Sequence, residues 1–131
     1  MEKTFEEIME RFRTITFNED FDMIVAIANG GIIPAAILNQ RLNVDIQLLS
    51  INLRDSNQNL KYDFPQLMSS IDFEVKNKTI LVVDDRVNTG ATMQLAHNLL
   101  RDAKLIKTFA VNGEADYVLY KDNCFAFPWI L

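Results

Sequence analysis

A chain of 131 residues with 49% hydrophobic content has the length of one ordinary domain and enough apolar material for a core without disulfides or structural metal. The net charge of -5 argues against a nucleic-acid backbone as the main partner, no apolar run approaches the roughly 20 residues that span a bilayer, and the single Cys124 excludes an internal disulfide. Glu2, Glu6 and Glu7 stand where a signal peptide has basic and then apolar residues, so a cytoplasmic protein is expected, one that binds any anionic ligand locally, through backbone amides, helix N-termini or a cation.

Thr4 followed three residues later by Glu7 is a capping-box signature, and Phe5, Ile8, Met9 and Phe12 recur at helical spacing, which predicts a helix over about 4–15. Met23 to Ala28 is a continuous apolar run ended by Asn29-Gly30-Gly31, the pattern of a buried parallel strand entering a tight turn. A helix follows from Ile33, with Pro34 in its first turn. Asp45 to Leu53 reads as a second strand, and the polar stretch Arg54 to Tyr62 as a mobile loop. Ile80 to Val83, closed by Asp84-Asp85, is a short β-branched strand, and Ala91 to Ala103 carries Met93, Leu95, Ala96, Leu99 and Leu100 along one helical face, with Thr89 or Thr92 to cap it. Leu105 to Val111 and Tyr117 to Tyr120 are further strands, and Phe125, Phe127 and Trp129 form an aromatic cap. Alternating strands and helices without repeat or linker predict a single α/β domain over 1–131, with a mostly parallel twisted sheet and helices on both faces.

In such sheets ligands bind at the carboxyl ends of strands, where loops open into helix N-termini. Two loops qualify. Asn29-Gly30-Gly31 permits close backbone approach to an anion, although a bland tight turn has the same appearance. The second is sharper. Adjacent carboxylates at Asp84 and Asp85 repel each other, and vicinal ribose hydroxyls or a magnesium ion offset that cost, while the amides from Asn88 to Thr92 surround a phosphate at a helix N-terminus.

Ile80 to Thr92 resembles the thirteen-residue phosphoribosyl-pyrophosphate signature of type I phosphoribosyltransferases. Ile27-Ala28-Asn29-Gly30-Gly31 is similar to that family's pyrophosphate loop, and Asp116-Tyr117 with Phe127-Pro128-Trp129 resembles the tail of the microbial xanthine and hypoxanthine-guanine members. The resemblance implies the type I phosphoribosyltransferase fold with a small C-terminal hood, a short homodimeric protein, and a magnesium-dependent reaction in which a nucleobase displaces pyrophosphate from phosphoribosyl pyrophosphate. It implies that Asp84 and Asp85 hold the ribose hydroxyls and Mg2+, and that Asn88, Thr89, Gly90, Ala91 and Thr92 wrap the 5'-phosphate. Asn29, Gly30 and Gly31 are then the pyrophosphate site, Arg54 to Tyr62 closes over the ribosyl cation, and Phe125 contacts the base.

Three positions depart from that pattern. Arg86 replaces an apolar residue, either adding a cation near the phosphates or pointing to solvent. Asn88 stands where 6-oxopurine enzymes carry an aspartate general base, and an amide cannot take that proton. Val111 lies near the place of their base-carbonyl lysine. His97, away from its helix N-terminus, reads as structural or surface, and Cys124 as buried packing. A two-component receiver domain also has an acidic pair after an apolar strand, but only 46 residues follow Asp85 here, too few for the rest of that fold. The remaining alternative is a module that binds phosphoribosyl pyrophosphate or a nucleotide without efficient transfer.

Overall fold

The computed structural model describes residues 2–52 and 66–131. The expected lid, Arg54 to Tyr62, lies outside the described residues. Helix α1 (Phe5–Thr14) starts where Thr4 Oγ1 accepts the Glu7 N–H at 3.1 Å. The reciprocal half of the capping box is absent, because the Glu7 carboxylate instead accepts the Tyr120 hydroxyl at 3.0 Å. Ile8 and Phe12 are the buried face of α1, and each contributes about 1.5–3 kcal/mol by leaving water.

Strand β1 (Met23–Ala28) leads into α2 (Ile32–Leu42), which carries Pro34 in its first turn, and then into β2 (Asp45–Asn52). A two-residue strand β3 (Gln66–Leu67) pairs antiparallel with the end of β2; nothing in its sequence announces it, because cross-strand pairing alone creates it. Strand β4 (Thr79–Val87) continues through the acidic pair, since Arg86 and Val87 pair with Asn112 and Gly113 of β5 (Leu105–Gly113). Between them α3 (Ala91–Leu99) stops short of the expected Ala103, where the Ala103 N–H closes a turn on the Leu100 carbonyl. Strand β6 (Tyr117–Tyr120) runs parallel to β5 although only residues 114–116 separate them. Asp116 holds this return: its carboxylate accepts from the Thr108 N–H at 2.9 Å and from the Thr108 hydroxyl at 3.1 Å.

The sheet order is β3-β2-β1-β4-β5-β6, parallel except for β3. Its central strands carry unbroken apolar runs, Met23–Ala28 in β1 and Ile80–Val83 in β4, because both faces are covered there. On one face Ile24, Ala26, Leu81, Val83, Phe109 and Val111 pack with Ile8 and Phe12 of α1, Leu38 of α2, and Phe125 and Phe127 of the C-terminal segment. On the other, Met23, Val25, Ile80, Val82 and Ala110 pack with Met93 and Ala96 of α3. Among the described residues no helix is long and apolar enough to cross a membrane.

Candidate active site

β1 and β4 are parallel neighbours at the middle of the sheet, yet the chain leaves them in opposite directions. After β1 it crosses by α2 to β2, and after β4 it crosses by α3 to β5, with the two helices on opposite faces. This is the topological switch point of an open parallel sheet, where a crevice opens beyond the carboxyl ends of the strands. Both predicted loops lie there.

The Asn29–Gly31 turn approaches β4 so closely that Gly30 and Gly31 have no room for side chains. A Cβ on Gly31 would lie 2.2 Å from the Val83 carbonyl oxygen and 2.9 Å from that of Ile27, to which the Gly31 N–H already donates at 2.7 Å. A Cβ on Gly30 would lie 2.7 Å from Asp85 Oδ1. The glycine loop therefore sits against the acidic pair, and the Ala28–Asn29 peptide that enters it is cis.

Asp84 is 9% exposed, and its Oδ1 accepts the Asp85 N–H at 2.8 Å. Burial first, and the neighbouring Asp85 charge second, hold its carboxyl well above the ordinary carboxylate range. Among the described residues neither acid is in an ion pair. Two adjacent carboxylates without an ion-pair partner, one of them costly to ionise, match hydroxyl donors and a divalent cation with oxygen ligands, so the donor set fits magnesium.

The helices beside this pair differ from α1 in one consistent respect. α1 has a side-chain cap and Glu6 and Glu7 in its first turn. α2 and α3 begin at Gly31 and Gly90, with no side-chain cap and no acidic residue in the first turn. Ile32 N–H donates to the Asn29 carbonyl at 3.1 Å, Pro34 has no N–H, and Ala91 N–H turns to Thr89, so an external anion has the other first-turn amides and the positive dipole ends. Asn88 and Thr89 are exposed in the loop before α3, Gly90 adopts φ 83°, Ala91 N–H donates to Thr89 Oγ1 at 3.3 Å, and Thr92 is half-buried in the first turn.

Residues 2–125 match the phosphoribosyl transferase domain family. The chain belongs to the phosphoribosyltransferases. It is 30% identical over 118 residues to a xanthine-guanine phosphoribosyltransferase of Idiomarina loihiensis, covering 85% of this chain and 72% of the relative. A second xanthine-guanine phosphoribosyltransferase, from Chromohalobacter salexigens, is 35% identical over 116 residues, covering 84% and 69%. The fold superposes on the crystal structure of a purine phosphoribosyltransferase from Pyrococcus horikoshii with a TM-score of 0.81, at 22% identity over 98% of this chain and 93% of that one. The expected phosphoribosyltransferase fold and pentosyltransferase class therefore hold.

The C-terminal segment of this phosphoribosyltransferase is arranged differently from a free aromatic platform. Phe125 is 5% exposed, edge-on to both Tyr120 and Phe127, and Phe127 stacks on Trp129 at 5.1 Å. Val111 is wholly buried in the core, while its neighbour Asn112 is the polar residue at that end of β5. Asn112 was not singled out in the sequence, yet it bonds the hood backbone: Nδ2 donates to the Asp122 and Asn123 carbonyls, and Oδ1 accepts the Asp122 N–H at 2.9 Å. Its only local signal was an amide directly after the apolar run Phe109–Val111. Arg86 points to the hood, donating from Nη2 to the Phe125 carbonyl at 2.7 Å. Cys124 is exposed rather than buried, because the chain carries Phe125 inward and leaves its neighbour outside; it lines a cavity of about 430 Å³ with Lys3, Asp122, Asn123 and Phe125. His97 is exposed near the end of α3.

Proposed function

We propose that this site transfers the ribosyl 5-phosphate group from phosphoribosyl pyrophosphate to a purine base and releases pyrophosphate. The observation that carries the reading is the contact between the glycine loop and the acidic pair: Gly30 lies against the Asp85 carboxylate, so one crevice offers backbone groups for a pyrophosphate and carboxylates for the ribose to which it is attached. Asp84 and Asp85 accept the ribose hydroxyls, Asn29, Gly30 and Gly31 bind pyrophosphate, and Asn88, Thr89, Gly90, Ala91 and Thr92 surround the 5'-phosphate at the α3 N-terminus. Asp84 and Asp85 would hold magnesium, which would supply charge neutralisation for the departing pyrophosphate.

As the bond to pyrophosphate lengthens, positive charge grows on the ribose, and the ionised acids beneath its hydroxyls stabilise it. The base then bonds to the anomeric carbon from the side of the hood. Asn88 cannot remove a proton from that base, so the acceptor must lose its proton without a side-chain base at that position. The names of the relatives support a purine acceptor, with Phe125 as the candidate hood position at the base and Val111, whose side chain lies in the core, able to offer it main-chain groups alone. The family match over 2–125 supports one domain. Exposed Ile32, Ile33, Leu48, Leu67 and Met68 support a homodimer, and the lone free cysteine supports a cytoplasmic setting.

The test is pyrophosphate release from phosphoribosyl pyrophosphate and magnesium across a panel of purines and pyrimidines, with calorimetric binding of the donor in parallel. Release that depends on one base establishes the transferase and its acceptor. Tight donor binding without release from any base makes the protein a regulatory binding module instead. The double variant Asp84→Asn, Asp85→Asn loses magnesium-dependent donor binding; unchanged affinity would remove the ribose site.

A further inference from the structure

Arg86 and Asn112 are cross-strand partners at the ends of β4 and β5, and both reach the same stretch of backbone. Asn112 makes three hydrogen bonds to Asp122 and Asn123. Arg86 donates to the Phe125 carbonyl and lies 4.6 Å above the Phe127 ring. Val87, next in the strand, packs with Ile80 and Val82, so the regular side-to-side alternation breaks just where Arg86 turns to the hood.

The arginine is not the residue that stability alone selects here. Its Nε is buried without a hydrogen-bond partner, and a buried orphan donor costs more than an apolar side chain of similar shape. Its guanidinium does one thing an apolar residue cannot: it fixes the position of a main-chain carbonyl by a charge-assisted bond. That carbonyl belongs to the segment lining the cavity of about 430 Å³. We infer that Arg86 is a positioning residue for the acceptor base: with Asn112 it clamps Asp122–Phe125, and so fixes the shape of the hood cavity to the strand that carries Asp84 and Asp85.

The inference rests on the transferase reading and predicts a split between ligands. Phosphoribosyl pyrophosphate occupies the ribose side alone, whereas a purine nucleoside monophosphate also fills the hood. Calorimetry with magnesium and phosphoribosyl pyrophosphate, and separately with whichever of AMP, GMP and XMP binds the wild type most tightly, reads the two sides. Arg86→Met keeps the stem over Phe127 and loses the donor. It raises the Kd for the monophosphate tenfold or more and leaves that for phosphoribosyl pyrophosphate within twofold; in turnover, KM for the base rises while KM for the donor does not. Arg86→Lys, which retains charge and a donor, gives an intermediate rise and carries the test if the methionine variant does not fold. Equal losses for both ligands, no loss for either, or a wild type that binds phosphoribosyl pyrophosphate but no monophosphate overturns the role of Arg86. A wild type that binds no phosphoribosyl pyrophosphate overturns the transferase reading beneath it.

Discussion

Adding one methyl group at Gly30 or at Gly31 separates the binding role of the glycine loop from its structural role. At Gly30 the new Cβ meets Asp85 Oδ1 at 2.7 Å and Oδ2 at 2.8 Å, about 0.8 Å inside ordinary contact. The obstacle is the end of a half-buried side chain, which can rotate away for about 0.5–1.5 kcal/mol. For a chain of 131 residues, 1 kcal/mol corresponds to a melting shift of about 4 °C, so Gly30→Ala melts only about 2–6 °C lower. The displaced carboxylate no longer reaches the ribose, and losing a hydrogen bond to a charged group costs about 1.5–3 kcal/mol, a roughly 10- to 150-fold rise in the Kd of phosphoribosyl pyrophosphate. At Gly31 the obstacle is the Val83 carbonyl at 2.2 Å, backbone of the central strand that cannot rotate aside. Overpacking there costs about 1–3 kcal/mol or more, and the melting temperature falls by about 4–12 °C. Thermal melting and calorimetric titration with magnesium measure both quantities. A Gly30→Ala protein that binds the donor as the wild type does would refute the placement of Asp85 at the ribose, and a Gly31→Ala protein that melts normally would refute the tight approach of loop to strand.

Two further outcomes follow from the acids and the loop after them. Asp84 has a carboxyl held well above the usual range by burial and by Asp85, so the folded state binds more protons than the unfolded one and loses stability as pH rises from the unfolded value of about 3.9 through the raised folded value. Asp84→Asn escapes that loss: its melting temperature exceeds the wild type's at neutral pH by a margin that disappears below about pH 4, while donor binding collapses. An unchanged margin at acid pH would show that ionisation is not the cause. Asn88→Asp places a carboxylate on an exposed loop position, which under the proposed reading accepts a proton from the base. Pyrophosphate release with hypoxanthine or guanine rises about 10-fold or more if the proton acceptor was limiting, and unaltered rates would assign the limit to the hood.

The strands legible in the sequence are those whose burial is written in consecutive residues. Met23–Ala28 and Tyr117–Tyr120 have the predicted bounds because apolar residues end at turn-forming or polar ones. β4 outruns its apolar portion because its last residues are held by β5, a pairing that no local pattern records. β3 exists only through Ile51 and Asn52. The two loops of the site were legible as separate candidates, since glycines and adjacent acids are local signals. Their contact through Gly30 and Asp85 was not, because it depends on β1 lying beside β4 across a long intervening stretch. The same holds for Arg86, whose partner Phe125 lies far along the chain.

That stretch has a consequence for how the protein is made. β1 has its two neighbours on opposite sides, and the second of them, β4, begins at Thr79. At ribosomal speeds the synthesis of residues 29–78 takes roughly 3–10 s, during which one flank of the apolar strand Met23–Ala28 has no native partner and offers a template for aggregation. Holdase chaperones that bind short apolar segments should therefore engage this nascent chain most strongly before Val87 emerges. The crevice between the glycine loop and the acids closes only after that strand has paired, so a ligand added during translation can rescue completed chains but not shorter ones.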